Sequence, residues 1–145
     1  QRSGNRRYAV VALATVMAAF IAGIAVSGTP STQRRREADR QRVRDLQSIA
    51  RAMHDHYNRR AAGEAALPES LPALKGRRFV ERITDPETQQ PYRFRAKEGS
   101  QYELCAAFAF SDADETPSSR PISPFWKHEA GEGCYVLDAS GSPPM

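Results

Sequence analysis

The chain has 145 residues, 40% hydrophobic and 26% charged, which leaves room for one compact domain with an appendage and excludes a large two-domain enzyme, a disordered polymer or a fibrous repeat. Charge divides along its length: residues 1–60 carry 12 arginines against 4 acids, a net of +8, whereas residues 61–145 carry 9 basic and 13 acidic residues, a net of −4. The overall +4 and the pI near 9.4 therefore describe the N-terminal part alone.

Gln1 stands where an initiator Met would, so we expect residues to have been removed from, or to precede, the written start. Residues 1–7 form a basic flank with Arg2, Arg6 and Arg7, and from Tyr8 to Gln33 no residue is charged. The 19 residues Tyr8–Val26 are apolar apart from Thr15, and at 1.5 Å rise per residue they extend about 28 Å, the thickness of a bilayer's hydrocarbon core. We read residues 8–30 as a transmembrane helix. A secretory signal peptide with Ala25 and Ser27 at its cleavage site is the competing reading, and the length of the apolar stretch disfavours it. Ala14, Ala18, Ala19, Ala22 and Gly23 place small side chains along the helix, a face that lets other transmembrane helices approach closely.

Residues 31–60 contain neither Gly nor Pro, and Val43, Leu46, Ala50, Met53 and Tyr57 repeat at alternating spacings of three and four. That pattern predicts one apolar stripe on a long amphipathic helix, capped by Ser31 or Thr32 and stopped by Gly63. Arginines crowd its first turns, where the helix dipole favours acids, so Arg34, Arg35, Arg36 and Arg40 are assigned to lipid headgroups or an acidic partner surface. The run lacks interleaved aromatics, which argues against nucleic acid.

Residues 61–138 are expected to form a small α+β domain. Pro68, Pro72 and Gly76 break the helical pattern, with a short helical turn around Leu71–Leu74, and Asp85-Pro86 and Gln90-Pro91 mark turns. The period then changes to two: Pro91–Lys97 and Gln101–Phe110 read as strands joined at Glu98-Gly99-Ser100, with Tyr102, Leu104, Ala106, Phe108 and Phe110 on one face. A polar, Pro-rich loop spans 111–124, Gly133–Asp138 is a third strand, and 139–145 a flexible tail. A long helix burying its stripe on three antiparallel strands makes a two-layer α+β unit.

His54 and His56 point to different faces of a helix and cannot share an ion, so both read as solvated. His128 beside Trp126 reads as a lid over the sheet edge. Neither a nucleophile elbow, a phosphate-cradling glycine loop nor a Cys/His metal spacing is present, so neither an enzyme, a cofactor nor a small-molecule substrate is expected. Asp112, Asp114 and Glu115 cluster acids in the polar loop, a weak calcium candidate that matches no EF-hand spacing.

The order of elements resembles type IV pilins and pseudopilins, most of all the major pseudopilin of type II secretion. The likeness rests on Asp45-Leu46-Gln47-Ser48-Ile49 through Tyr57, Leu67-Pro68-Glu69-Ser70-Leu71, Asp85-Pro86 and Pro91-Tyr92-Arg93-Phe94. It extends over residues 8–138. Tyr102–Cys105, Trp126–His128 and Cys134–Leu137 are also similar to single-pass bacterial proteins of unknown role. The resemblance implies a pilin-like fold, and pseudopilins bind calcium in C-terminal loops. Pilins, however, carry a glutamate early in the apolar stretch that neutralises a neighbour's amino terminus, and Tyr8–Val26 has no acid.

Orientation is contested. Arginines after the span outnumber those before it, which favours a cytoplasmic C-terminus. Cys105 and Cys134 speak for export, since an even pair in a small exported domain reads as one disulfide; two buried free thiols are the alternative. With the pilin resemblance added, we expect a periplasmic domain with a Cys105–Cys134 disulfide, anchored in a bacterial inner membrane. The expected role is a non-catalytic accessory subunit of a larger membrane complex, respiratory or photosynthetic complexes being the first clients to consider. A minor pseudopilin is the alternative, and a membrane-anchored binding domain using the Asp112–Pro124 loop the third.

Overall fold

The computed structural model describes residues 2–27, 29–59, 66–74, 76, 80, 82–112 and 123–144, with the side chains of 6–23 described in the first helix. The chain forms two units, residues 1–34 and 35–145. Helix α1 spans Arg2–Ser27 and α2 spans Pro30–Asn58; the three strands are β1 (Arg93–Ala96), β2 (Gln101–Phe108) and β3 (Gly131–Asp138).

In the first unit, Arg6–Gly23 of α1 averages a hydropathy of 1.4, long and apolar enough to cross a membrane, and none of it is buried within the protein. Within this stretch the Thr15 hydroxyl is satisfied locally: Thr15 Oγ1 donates back to the carbonyls of Val11 and Ala12 at 3.1 and 2.9 Å, which removes the cost of an unpaired polar group in an apolar medium. Helix α1 ends at Ser27 and α2 begins at Pro30. Its cap is Thr29, where Ser31 or Thr32 was expected: Thr29 Oγ1 accepts the Thr32 N–H at 3.3 Å, and Gln33 N–H donates to the Thr29 carbonyl at 3.1 Å. Pro30 explains the shift, because a residue without an N–H and with φ fixed near the helical value suits the first helical position, which makes the residue before it, Thr29, the cap.

In the second unit, α2 buries a broader face than the predicted stripe. Val43, Leu46, Ala50 and Met53 are inside as expected, and Ile49, Ala52 and His56 join them. The sheet order is β1-β2-β3, antiparallel throughout. Lys97 N–H donates to the Gln101 carbonyl at 2.8 Å across Glu98-Gly99-Ser100, where Gly99 takes φ +63°. The predicted face of β2 is the buried one: Tyr102, Leu104, Ala106 and Phe108 pack with Tyr135 and Leu137 of β3 against the α2 stripe. Leu71–Leu74 forms a short 3-10 turn that adds Leu71 and Leu74 to this core.

Three expectations change here. Trp126 is not a lid over the sheet edge; it is fully buried, its Nε1–H donating to the Pro144 carbonyl at 2.9 Å while the Trp126 carbonyl accepts the Tyr135 hydroxyl at 3.1 Å. The expected loose tail is tied down in consequence, since Ala139 is buried with its N–H on the Ser100 carbonyl at 2.9 Å. His56 is buried, and His54 meets the Ala139 carbonyl through Nδ1 at 3.1 Å, so neither is a solvated helix residue. The helix stop at Gly63 and Asp114, Glu115 and Met145 lie outside the described residues.

Candidate functional site

A cluster of charges lies inside the domain. Asp39, Arg42, Leu46, Ile49, Met53 and His56 follow one another at spacings of three and four, so the first two continue the buried stripe with charges. Arg42 Nη1 donates to Asp39 Oδ1 at 2.6 Å, Nε and Nη2 grip the Asp85 carboxylate at 2.5 and 3.0 Å, and Nη2 also reaches Glu87 Oε2 at 2.7 Å. Burial alone would push Asp85 up, but Arg42 and the N–H groups of Thr88 and Glu87 outweigh it and hold its carboxyl down to about 2. Burial would lower the Arg42 guanidinium, and the three carboxylates reverse the sign and raise it.

The same helix is fastened at two further points. Asp39 accepts the Ala109 and Phe110 N–H groups at 3.0 Å each, where β2 ends. Asp45 accepts the Tyr92 hydroxyl at 2.8 Å and the Gln41 amide at 2.7 Å; burial pushes its carboxyl up, against those bonds and the positive charges of Arg82 and Arg44. The buried carboxylates of Asp39, Asp45 and Asp85 are each matched to donors of the fold itself, so the cluster bolts α2 to the Asp85 turn and to the one end of the sheet where β1 begins and β2 finishes.

The arginine run is less outward-facing than its composition suggests. Arg34 and Arg35 are exposed, but Arg36 lies 5.3 Å from the Phe110 ring centre, Arg40 approaches Glu37 at 3.8 Å, and Arg44 pairs with Glu37 at 2.7 Å. On α1, Ala14, Ala18, Ala19, Ala22 and Gly23 are all exposed, among large apolar neighbours including Val16, Phe20 and Ile21.

Cys105 and Cys134 face each other in the β2–β3 register and form a disulfide, with no free cysteine remaining. Cys105 is buried and Cys134 exposed, so the pair does not fit the alternative of two buried thiols. Arg93 of β1 is the register partner of Cys105, and its Nη2 lies 3.3 Å from both sulfurs. The sequence contained no signal for this contact, because it requires the register of all three strands.

Asp112, from the calcium candidate, is already engaged. Its Oδ1 meets His128 Nε2 at 2.9 Å, its Oδ2 accepts the His128 N–H at 3.1 Å, and the His128 ring stacks on Phe108 with centres 3.7 Å apart. Gly133 makes this stack fit: a Cβ there would lie 2.9 Å from the Phe108 ring. Ser111, Asp112, Lys127, His128 and Glu129 line a cleft of about 350 Å³ above it.

Comparison with protein-family models, with curated proteins and with solved structures finds no match to this chain.

Proposed function

We propose that this chain is a single-pass anchor whose pilin-like α+β domain serves, without catalysis, as an accessory subunit of a larger bacterial inner-membrane complex. The observation that carries the reading is the apolar coat of α1. Tyr8, Val10, Val11, Leu13, Val16, Met17, Phe20 and Ile21 are each more than half exposed, a surface that only lipid or other apolar helices satisfy. The small side chains from Ala14 to Gly23 favour close packing on other spans, and exposed Arg34 and Arg35 suit anionic headgroups beside the membrane. The disulfide supports a periplasmic domain, since such bonds persist in oxidising compartments. An energy-transducing assembly, respiratory or photosynthetic, is the first client to test.

Purification at native abundance in mild detergent tests the role. One discrete complex of fixed stoichiometry is expected, and Ala18→Leu with Ala22→Leu should weaken it while leaving membrane insertion intact. A methylated N-terminus, or self-cross-links through Val43–Tyr57 in a fibre, would replace this reading with a minor pseudopilin. The absence of an acid in Tyr8–Val26 counts against that outcome, because an unneutralised charge at that depth costs about 2.5 kcal/mol or more.

A further inference from the structure

One rung of the sheet places Arg93, Cys105 and Cys134 side by side on β1, β2 and β3. On β2 the residues Tyr102, Leu104, Ala106 and Phe108 fill the core, so Glu103 and Cys105 belong to the opposite face, away from α2. The two sulfurs differ in access. Cys105, on the central strand, is 3% exposed, whereas Cys134, on the edge strand, is exposed. An in-line nucleophile must reach the sulfur it attacks, and Cys134, on the edge strand β3, is the sulfur that solvent reaches.

Arg93 is held in place twice. The sheet register sets it beside Cys105, and Nη1 is tied to Glu132 of β3 at 2.8 Å, which lays the guanidinium across the disulfide with Nη2 at 3.3 Å from each sulfur. Other charges face the same group. Glu103 lies within 4.8 Å of both sulfurs but is paired with Lys97 at 3.1 Å, and Arg95 is its register partner on β1. Among the described residues the cation nearest the sulfurs is therefore Arg93, and a cation beside a thiol favours the thiolate.

We propose that Cys105–Cys134 is a thiol–disulfide exchange site, attacked at Cys134 by an external dithiol, with Arg93 holding the departing Cys105 thiolate. One thiolate of the dithiol attacks Cys134 Sγ, forming a mixed disulfide as the Cys105–Cys134 bond breaks and its electron pair passes to Cys105 Sγ. The second thiol of the reagent, deprotonated, then attacks its own sulfur in the mixed disulfide and releases Cys134 as a thiolate. The reagent leaves as a disulfide, two electrons have entered the protein, and the two protons the dithiol gave up return to Cys105 and Cys134. A leaving thiol of lower pKa departs faster, which is what Nη2 supplies. The eight-pair β2–β3 register runs on both sides of the cysteines, so the domain remains folded when the bond is open. This inference is independent of the accessory-subunit reading.

The test uses the full chain in detergent micelles, pulsed with dithiothreitol, quenched with acid, alkylated and counted by mass, with circular dichroism recorded in parallel. Reduction with unchanged dichroism is expected, and reduction that requires unfolding overturns the proposal. Arg93→Gln should slow reduction about threefold to tenfold and Arg93→Lys should restore most of the rate; equal rates for all three proteins overturn the role of Arg93. A purely structural role for Arg93 would leave the reduced thiols untouched, so the pH profile of Cys105 alkylation is decisive: it should move to higher pH in Arg93→Gln. With oxidised glutathione, Cys105→Ser should form a stable adduct at Cys134 at least about tenfold faster than Cys134→Ser forms one at Cys105. Equal trapping at both positions overturns the assignment of the attacked sulfur.

Discussion

The two helices invert each other. Helix α1 wears apolar side chains on its outside, Phe20 and Ile21 being 65% and 62% exposed, while α2 carries Asp39, Arg42 and Asp45 on its inside at 3% exposure or less. Apolar-in and polar-out is a rule about water; α1 breaks it along its length, and α2, which otherwise buries an apolar stripe, breaks it at these three charges. In α1 the expected surroundings are lipid, which rewards an apolar exterior and requires only that Thr15 be satisfied by its own backbone. In α2 the charges are taken out of water but meet partners placed to receive them, so the desolvation cost is offset by bidentate ion pairing.

The comparison breaks most sharply at Arg42. Arg42→Met leaves Asp39 and Asp85 buried without a counter-ion, and urea unfolding should show a loss of about 3–5 kcal/mol. The mirror experiment puts a charge where α1 has none: Met17→Asp, midway along Tyr8–Val26, should cost about 2.5–3.5 kcal/mol of insertion, read as the fraction of protein resisting carbonate extraction. An unchanged domain melt in that variant would show that the penalty belongs to the membrane alone.

Acid sharpens the contrast next. Asp85 is held down to about 2 when folded, below an ordinary aspartate, so its stabilisation is complete above about pH 5 and is lost as pH falls through 4 toward 2. About 2 kcal/mol should disappear over that range in denaturant titrations. Asp45 acts with the opposite sign, because burial raises its carboxyl; it costs stability at neutral pH and is relieved by acidification. Asp45→Asn should therefore make the acid loss steeper. The smallest effect is expected at Arg59, whose 2.7 Å pair with Asp55 is solvated: Arg59→Ala should cost about 0.3–0.5 kcal/mol and vanish in high salt.

Much of this was legible in the residues themselves. The alternation from Tyr102 to Phe108 specified which face of β2 is buried, and the turn at Gly99 specified the hairpin; the two cysteines left a disulfide and two free thiols open, and the β2–β3 register, which sets them opposite each other, is what pairs them. The inward charges were not legible, because a periodicity argument assigns Asp39 and Arg42 to the solvent by their chemistry, and the partner that reverses this assignment, Asp85, lies 43 residues away. His56 was misplaced for the same reason. The cap at Thr29 was recoverable from Pro30 alone. Arg93 was not, since its place beside the sulfurs exists only once β1, β2 and β3 are in register.

Trp126 is the chain's single tryptophan, fully buried, with its indole N–H on the Pro144 carbonyl and the Tyr135 ring centred 5.0 Å away. Its ultraviolet emission is therefore a built-in optical gauge of one place, the seat where the C-terminal residues meet the sheet. A blue-shifted band reports the carboxyl-terminal segment docked, and a red shift on trimming 140–145 would report its release before the rest of the domain melts.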